Sequence, residues 1–372
     1  MTGAAGTVVG LGIVGCGGAA ADVVRAVKGS PVLRVVAVHD VVRDRAVDLA
    51  AGTDARVHRR LDGLVGDPAV DAVYIALPHD RLVRAAVAVL EGGRHVLVEK
   101  PLSIDAAGLR AVRDAGRRAG RSVGVMYELR QVASARQAGT LIRDGAIGAV
   151  RLVRIRTLID KPPSYWISGP TGRVADPWRA RRARSGGGVV IMNAIHQLDL
   201  VRFLTGLEVI RASAEAEAGV AGADVEDVAS ASLRFDNGAI ASLVASAHAP
   251  GATGEETIDI DGTDGALRLG DPYAARPRLA LYLRGPYRDH PVGRWIAIRP
   301  PPVDPWAATL DAFARAIADG TPPVPGLDDA EAALATVLAI YRSAATGRVV
   351  RVHRSWDPSP ADGAPRGTAT RS

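Results

Sequence analysis

The chain has 372 residues, a formal net charge of +6, 48% hydrophobic residues and a single cysteine. One cysteine excludes an internal disulfide and any cysteine-built zinc site, so no metal is expected and a reducing, cytoplasmic setting is. No apolar run approaches the roughly 18 uncharged residues of a membrane-spanning helix, the first six residues lack the flank and core of a secretion signal, and the arginine surplus is scattered rather than gathered into a stripe. Neither a membrane nor a nucleic-acid partner is therefore expected; the Ala, Val, Arg and Gly richness reads as the bias of a GC-rich genome.

The length suggests two joined domains. In chain order, residues 9–14, 33–38, 72–77, 96–98 and 122–126 read as short buried strands. Residues 19–28, 43–51, 81–91 and 104–119 carry apolar residues at helical spacing, with Ser103 as the expected N-cap of the last of these. Alternating strand and helix predicts a parallel sheet covered on both faces, a Rossmann-type α/β unit. The second half changes character. Runs 149–158, 208–218, 228–235, 239–248, 257–261 and 294–298 follow one another with little helix, and Asp236-Asn237-Gly238 is a hairpin signal, so a large, mostly antiparallel sheet is expected. Helices at 306–318 and 328–345 close the fold. The expected division is the α/β unit over 1–128, a second, sheet-rich domain over 129–353, and a frayed tail over 354–372.

Gly15-Cys16-Gly17-Gly18-Ala19-Ala20 joins the first strand to the first helix, where glycines permit a tight turn and let a pyrophosphate approach backbone amides. Asp40 ends the second strand, at about the 20-residue spacing where a carboxylate accepts from an adenosine ribose. That acid favours NAD(H) over NADP(H), although Arg43 could offset a 2′-phosphate. Cys16 reads as a small packed residue. Leu77, Pro78, His79, Glu99 and Lys100 lie at strand ends on the same sheet edge and complete the expected cofactor set.

Lys100, in Glu99-Lys100-Pro101, is the only lysine between Lys28 and Lys161. A lysine can be tuned to act near neutrality, whereas an arginine holds its proton too tightly. Further on, Gly186-Gly187-Gly188 leads into Met192-Asn193-Ala194-Ile195-His196, with Asp199 three residues later on the same helical face. From this pattern alone, His196 is either a core residue or a general base. The long connection over 160–188 carries Tyr165, Trp166, Trp178 and Arg179, and a loop of this length either covers or builds a site or is anchored by these residues. Arg179, Arg181, Arg182 and Arg184 form either an anion site or a solvated cluster.

Taken together, the glycine turn, the 71–103 stretch with Glu-Lys-Pro, and the GGG…H…D segment resemble the glucose-fructose oxidoreductase and inositol dehydrogenase family, Gfo/Idh/MocA, over about residues 11–352. The resemblance implies a Rossmann domain, an open-faced C-terminal sheet used in homodimer or homotetramer contacts, a cis bond before Pro101, and NAD(P)-dependent oxidation of a sugar or cyclitol hydroxyl, or the reverse. Lys100, His196 and Arg130 match its pattern. The aspartate it often carries four residues before the histidine is Met192 here, with Asn193 beside it; a frequent second histidine is Leu82, and a frequent asparagine is Glu128. The expected catalytic pair is Lys100 and His196, and the expected substrate contacts are Lys100, Tyr127, Arg130, Tyr165, Trp178, Arg179, Asn193 and His196. Two other outcomes stand beside hydride transfer to a sugar, cyclitol or glycoside: a redox-neutral elimination through transient sugar oxidation, and a non-catalytic dinucleotide sensor.

Overall fold

Six short strands, β1 (Val9–Val14), β2 (Leu33–His39), β3 (Arg56–Val57), β4 (Ala72–Ile75), β5 (His95–Glu99) and β6 (Val123–Met126), form a wholly parallel sheet in the order β3-β2-β1-β4-β5-β6. β1, β4 and β6 are buried throughout, because helices cover both faces and leave no strand side for water. These helices are α1 (Gly18–Val27), α2 (Arg43–Ala50), α3 (Leu61–Val65), α4 (His79–Glu91) and α5 (Ala106–Ala119). The computed structural model describes residues 8–169, 176–219, 222–253 and 255–354. The expectations for the first six residues and for the tail beyond 354 lie outside the described residues.

After β6 come α6 (Ala133–Arg143), β7 (Val150–Leu158), α7 (Ser164–Ser168), α8 (Arg182–Ser185) and α9 (Ile195–Thr205). The second sheet continues with β8 (Val209–Glu217), β9 (Val228–Phe235), β10 (Ile240–Ser246), β11 (Glu255–Gly262), β12 (Gly265–Leu269), β13 (Leu279–Leu283) and β14 (Trp295–Ile298). The described chain ends with α10 (Pro305–Ala318), α11 (Leu327–Thr346) and β15 (Val350–Arg351). Nine strands run in the order β14-β13-β12-β11-β7-β10-β9-β8-β15, antiparallel except where β7 lies parallel to β10. Alternation along β9 and β10 leaves one face packed and the other exposed.

Two expectations need correction. Asp105, not Ser103, caps α5, its carboxylate accepting from the Gly108 amide at 2.7 Å, while the Ser103 hydroxyl bonds the Asp105 backbone instead. The short strands β12 and β13 and the helix α6 went unread, because turn-rich flanks and a brief amphipathic run gave weak periodicity. The closing helices also divide their loyalties. α10 packs on α1, placing Leu310, Phe313 and Ala314 in the core beneath the parallel sheet, and Ser30 and Arg25 bond Asp311 and Asp304. The chain thus returns to the first sheet, a contact that periodicity along the sequence does not indicate.

Candidate active site

The glycine turn is built around Gly15, at φ +89°, where a Cβ would lie 2.1 Å from the Ala76 carbonyl oxygen. Asp40 braces this turn, its carboxylate accepting from the amides of Cys16 and Val42, each at 2.8 Å. Arg45, not Arg43, is the guanidinium beside it, at 4.0 Å. The Cys16 thiol is buried and pushed up to about 12 by burial and then by Asp40, so it is an inert packed group.

α1 begins at Gly18 with no side-chain cap, and a Cβ on Gly17 would meet nothing within 4 Å, so it would project into open space above the turn. Uncapped amides facing clear space at a helix start suit a pyrophosphate. Ala20 is buried beneath them, and the Leu77 side chain lies 2.9 Å from where a Gly15 Cβ would sit. Gly15→Ala should weaken NADH binding about tenfold, since a non-glycine residue in this conformation costs about 1–3 kcal/mol and each 1.4 kcal/mol is tenfold. Fluorescence titration with NADH measures this effect.

Pro78 precedes α4, and His79, its first residue, is buried. His79 Nδ1 lies 2.7 Å from the Ser185 carbonyl oxygen, and its ring is 4.6 Å from that of Trp178. Burial, only partly offset by that bond, pushes His79 down to about 3, so the imidazole is neutral at physiological pH. Glu99 is half-buried at the end of β5, its carboxylate accepting from the Tyr74 hydroxyl at 2.6 Å. The bond between Lys100 and Pro101 is cis.

Opposite this edge, Gly186-Gly187-Gly188 leads into a wide π-turn, Val190–Ala194, that runs straight into α9. Gly188 allows close approach, since a Cβ there would lie 1.7 Å from the Glu226 carbonyl oxygen. The buried Glu226 carboxyl anchors the turn by accepting from the amides of Gly188 (2.7 Å) and Val190 (3.0 Å) and from the Tyr341 hydroxyl (2.6 Å). The turn meets Lys100, whose ammonium donates to the Met192 carbonyl at 2.5 Å. Burial holds Lys100 below the ordinary lysine range, against the pull of Glu99 and Glu128. Burial and then the Lys100 charge hold His196 well below the usual imidazole value. The lysine of one domain and the histidine of the other thus share one electrostatic environment.

Around them are buried polar atoms with no partner among the described residues: Tyr127 Oη, Asn193 Oδ1, His196 Nδ1 and Gln197 Oε1. Such atoms cost free energy unless something polar meets them. Gln197 donates to Glu256 at 2.7 Å, and burial pushes that carboxyl up to about 7. The Glu128 carboxyl faces His196 Nδ1 at 3.8 Å and is pushed up to about 8 by burial and then by Glu99. Tyr273 is half-exposed, but burial of its phenol, then Glu128 and Glu256, push it well above its usual value.

The loop over 160–188 is described except for 170–175. Tyr165, Trp166 and Trp178 are buried, and the Tyr165 hydroxyl lies 3.7 Å from the Met192 sulfur. The Arg179 guanidinium stacks over Trp178 at 4.4 Å and over Tyr165 at 5.3 Å. Arg184 pairs with Asp176 (2.5 Å) and Asp80 (2.9 Å), and Arg182 lies over Tyr341. Arg179 and Arg184 are therefore bound into the loop and its neighbours, whereas Arg181 and Arg182 are exposed to solvent. Arg130 is paired as well. It holds Asp199 with bonds of 2.7 and 2.5 Å and reaches Asp329 at 2.9 Å.

Lys161, Gln197, Glu256 and Tyr273 were not foreseen. They lie on a strand exit, a helix face, a sheet strand and a loop, and no motif spacing links them. Lys161 carries a weak signal as the next lysine after Lys100; its ammonium sits 4.9 Å over the Tyr165 ring.

A glycine-turn Rossmann unit facing a lysine–histidine cleft defines a two-domain, dinucleotide-dependent oxidoreductase. Residues 9–127 match the NAD-binding Rossmann fold of the GFO/IDH/MocA oxidoreductase family, and residues 135–268 match the GFO/IDH/MocA C-terminal domain. The chain is 30% identical over 299 residues to a 1,5-anhydro-D-fructose reductase of Ensifer adhaerens, covering 78% of this chain and 83% of the relative. It is 29% identical over 358 residues to inositol 2-dehydrogenase 2 of Saccharopolyspora erythraea, covering 94% and 97%. The crystal structure of aldose-aldose oxidoreductase from Caulobacter crescentus superposes with a TM-score of 0.80 at 26% identity, covering 92% of this chain and 99% of that one. The protein belongs to the Gfo/Idh/MocA oxidoreductase family.

Proposed function

We propose that this protein transfers hydride reversibly between a secondary alcohol of a sugar, cyclitol or glycoside and NAD(H). The carrying observation is that the Lys100 ammonium and the His196 imidazole meet at the Met192–His196 turn, beside buried polar atoms of Tyr127, Asn193, His196 and Gln197 that have no partner among the described residues. The names of the similar proteins support the same substrate class. A bound nicotinamide supplies or accepts the hydride; Gly15, Gly17, Gly18, Ala20 and Asp40 would hold its dinucleotide, with Leu77, Pro78, His79 and Glu99 along the sheet edge. The Asp40 carboxylate favours NAD(H), while Arg43 and Arg45 leave NADP(H) open to test.

Lys100 stabilises the developing alkoxide through ammonium N–H groups not engaged by Met192, and His196, neutral in its buried setting, takes or gives the hydroxyl proton. Tyr165, Trp178 and Arg179 form an aromatic and cationic wall beside Met192. No helix among the described residues is long and apolar enough to cross a membrane, and this reading keeps the cytoplasmic setting expected from the sequence. It also includes assembly as a homodimer or homotetramer through the open face of the second sheet, where Val228, Ile240 and Val244 are 43, 41 and 42% exposed on adjacent strands.

The test incubates the enzyme with NAD⁺ or NADP⁺ and a panel of monosaccharides, inositols, anhydrosugars and glycosides, following absorbance of the reduced cofactor. Accumulation of NADH one for one with a keto product is expected. Product formation without reduced cofactor would replace this reading with a redox-neutral elimination, and cofactor binding without turnover on any member would replace it with a sensor.

A further inference from the structure

The His196 ring has one nitrogen facing a carboxyl, and that carboxyl comes from an unexpected place. Met192, four residues before His196, has no acid to offer, and its side chain meets the Tyr165 hydroxyl instead. Glu128 starts the tight turn Glu128–Gln131 directly after β6, at the end of the dinucleotide-binding sheet, and its Oε2 reaches 3.8 Å from His196 Nδ1. Both side chains are almost wholly buried, at 6% and 7% exposure. His196 Nδ1 has no hydrogen bond among the described residues. A closure of about 1 Å would make this contact a normal hydrogen bond, an adjustment common between free and substrate-bound enzymes.

We propose that Glu128 is the positioning partner of His196, filling from the other domain the place that Met192 leaves without an acid, and that the substrate's hydroxyl proton passes through the imidazole to the Glu128 carboxylate. This inference rests on the hydride-transfer reading above. In the oxidation direction, the alcohol O–H bond breaks and its proton bonds to His196 Nε2, while the Nδ1–H bond breaks and that proton bonds to a Glu128 oxygen. The ring starts and ends neutral, and the hydride leaves carbon for the nicotinamide named above. In reduction every proton runs back: Glu128 protonates Nδ1, and Nε2–H protonates the carbonyl oxygen. Glu128 therefore selects the tautomer. A carboxylate demands Nδ1–H and frees Nε2 as a base, whereas a carboxylic acid donates to Nδ1 and leaves Nε2–H as an acid.

The electrostatics favour this route over a lasting imidazolium. Burial and the neighbouring Lys100 ammonium both oppose a second cation on His196, whereas burial and Glu99 make Glu128 ready to hold a proton. Charged and titratable groups face Glu128 from every side: Lys100 and Glu99 from β5 and its exit, His196 and Asp199 from α9, and the phenols of Tyr74, Tyr127 and Tyr273. Of these, Lys100 is also held below the ordinary lysine range, so its effect has to be separated from that of Glu128.

The experiment uses ¹⁵N-histidine-labelled full-length protein, with the His196 signal assigned by its loss in His196→Asn, and compares wild type with Glu128→Gln. In the wild type, the ring nitrogens are expected to exchange their protonated and unprotonated shifts as pH passes through about 8, a transition absent from Glu128→Gln. Ring shifts that stay flat across that range in the wild type, or the same transition surviving in Glu128→Gln, would overturn the proposal without reference to any substrate. With a turned-over sugar, Glu128→Gln should lower kcat about 10²-fold with KM little changed. It should also lose the opposed pH limbs of oxidation, which rises through about 8, and reduction, which falls through it, while keeping the alkaline limb of Lys100. Adding Met192→Asp to Glu128→Gln should restore most of the rate. A Glu128→Gln enzyme with both limbs intact would overturn the relay. A wild-type enzyme inactive on the whole panel would overturn the hydride-transfer reading, and the NMR titration would still decide whether Glu128 and His196 form a pair.

Discussion

Lys100→Ala should reduce turnover by about 10³-fold or more while NADH still binds. Removing one preorganised donor to a developing oxyanion costs about 10²–10³ in kcat, and losing its full charge from a poorly solvated setting adds to this. On the proposed reading the dinucleotide is held at the glycine turn and Asp40, which Lys100 does not touch. Lys100→Arg should fail nearly as badly. The guanidinium is larger, planar and spreads its charge over three nitrogens, so it cannot place the compact charge of an ammonium beside both the Met192 carbonyl and the reacting oxygen. The wild-type rate of alcohol oxidation should fall at alkaline pH. The ammonium is present below its pKa and lost above it, and burial brings that pKa below the ordinary lysine range. Stopped-flow hydride transfer with fluorescence titration of NADH checks both halves, and a Lys100→Ala enzyme at wild-type rate would remove Lys100 from the chemistry.

Asp199→Ala should destabilise the protein by about 3–5 kcal/mol, the usual cost of removing one member of a buried ion pair. At about 2–4 °C per kcal/mol for large domains, the melting midpoint should fall by about 6–20 °C. The Arg130 guanidinium and the Asp199 carboxylate are both almost wholly buried, and Asp329 completes the set at 2.9 Å. Arg130 comes from the turn after β6, Asp199 from α9 and Asp329 from the start of α11, so this network pins the helix that carries His196 to the turn that follows the parallel sheet and to α11. The double variant Arg130→Met/Asp199→Leu should recover much of the loss, because Asp329 keeps Arg202 at 2.5 Å and the Gly326 amide at 2.9 Å. Differential scanning calorimetry measures both variants. A large rise in KM for Arg130→Met with unchanged stability would return Arg130 to the substrate role expected from the sequence.

The contrast between Arg130 and Glu128 shows how far motif reading reaches. Both lie on the same short turn. The motif resemblance carried Arg130 forward as a ligand contact and marked Glu128 only as a departure. Folding reverses their apparent roles: the arginine meets two carboxylates that sequence spacing could not bring to it, while the glutamate arrives beside the histidine. Arg179 and Arg184 behave similarly, since only contacts with Trp178, Tyr165, Asp80 and Asp176 reveal that they anchor the loop.

Local rules were enough for the parallel sheet, the hairpin at Asp236-Asn237-Gly238, the glycine turn with Asp40, and the placing of Lys100 at a strand end and His196 on a buried helix. Each depends on residues close in sequence, through apolar periodicity, the conformations open to glycine, or the end of a strand. The tertiary structure alone decided what depends on residues far apart. It returned α10 to the first sheet, set Gln197 against Glu256, and turned Arg130 toward Asp199. It also supplied, from residue 128, the carboxyl that residue 192 lacks. Packing fixes these long-range encounters, because buried polar groups must find partners wherever the chain brings them, and no spacing along the sequence records that distance.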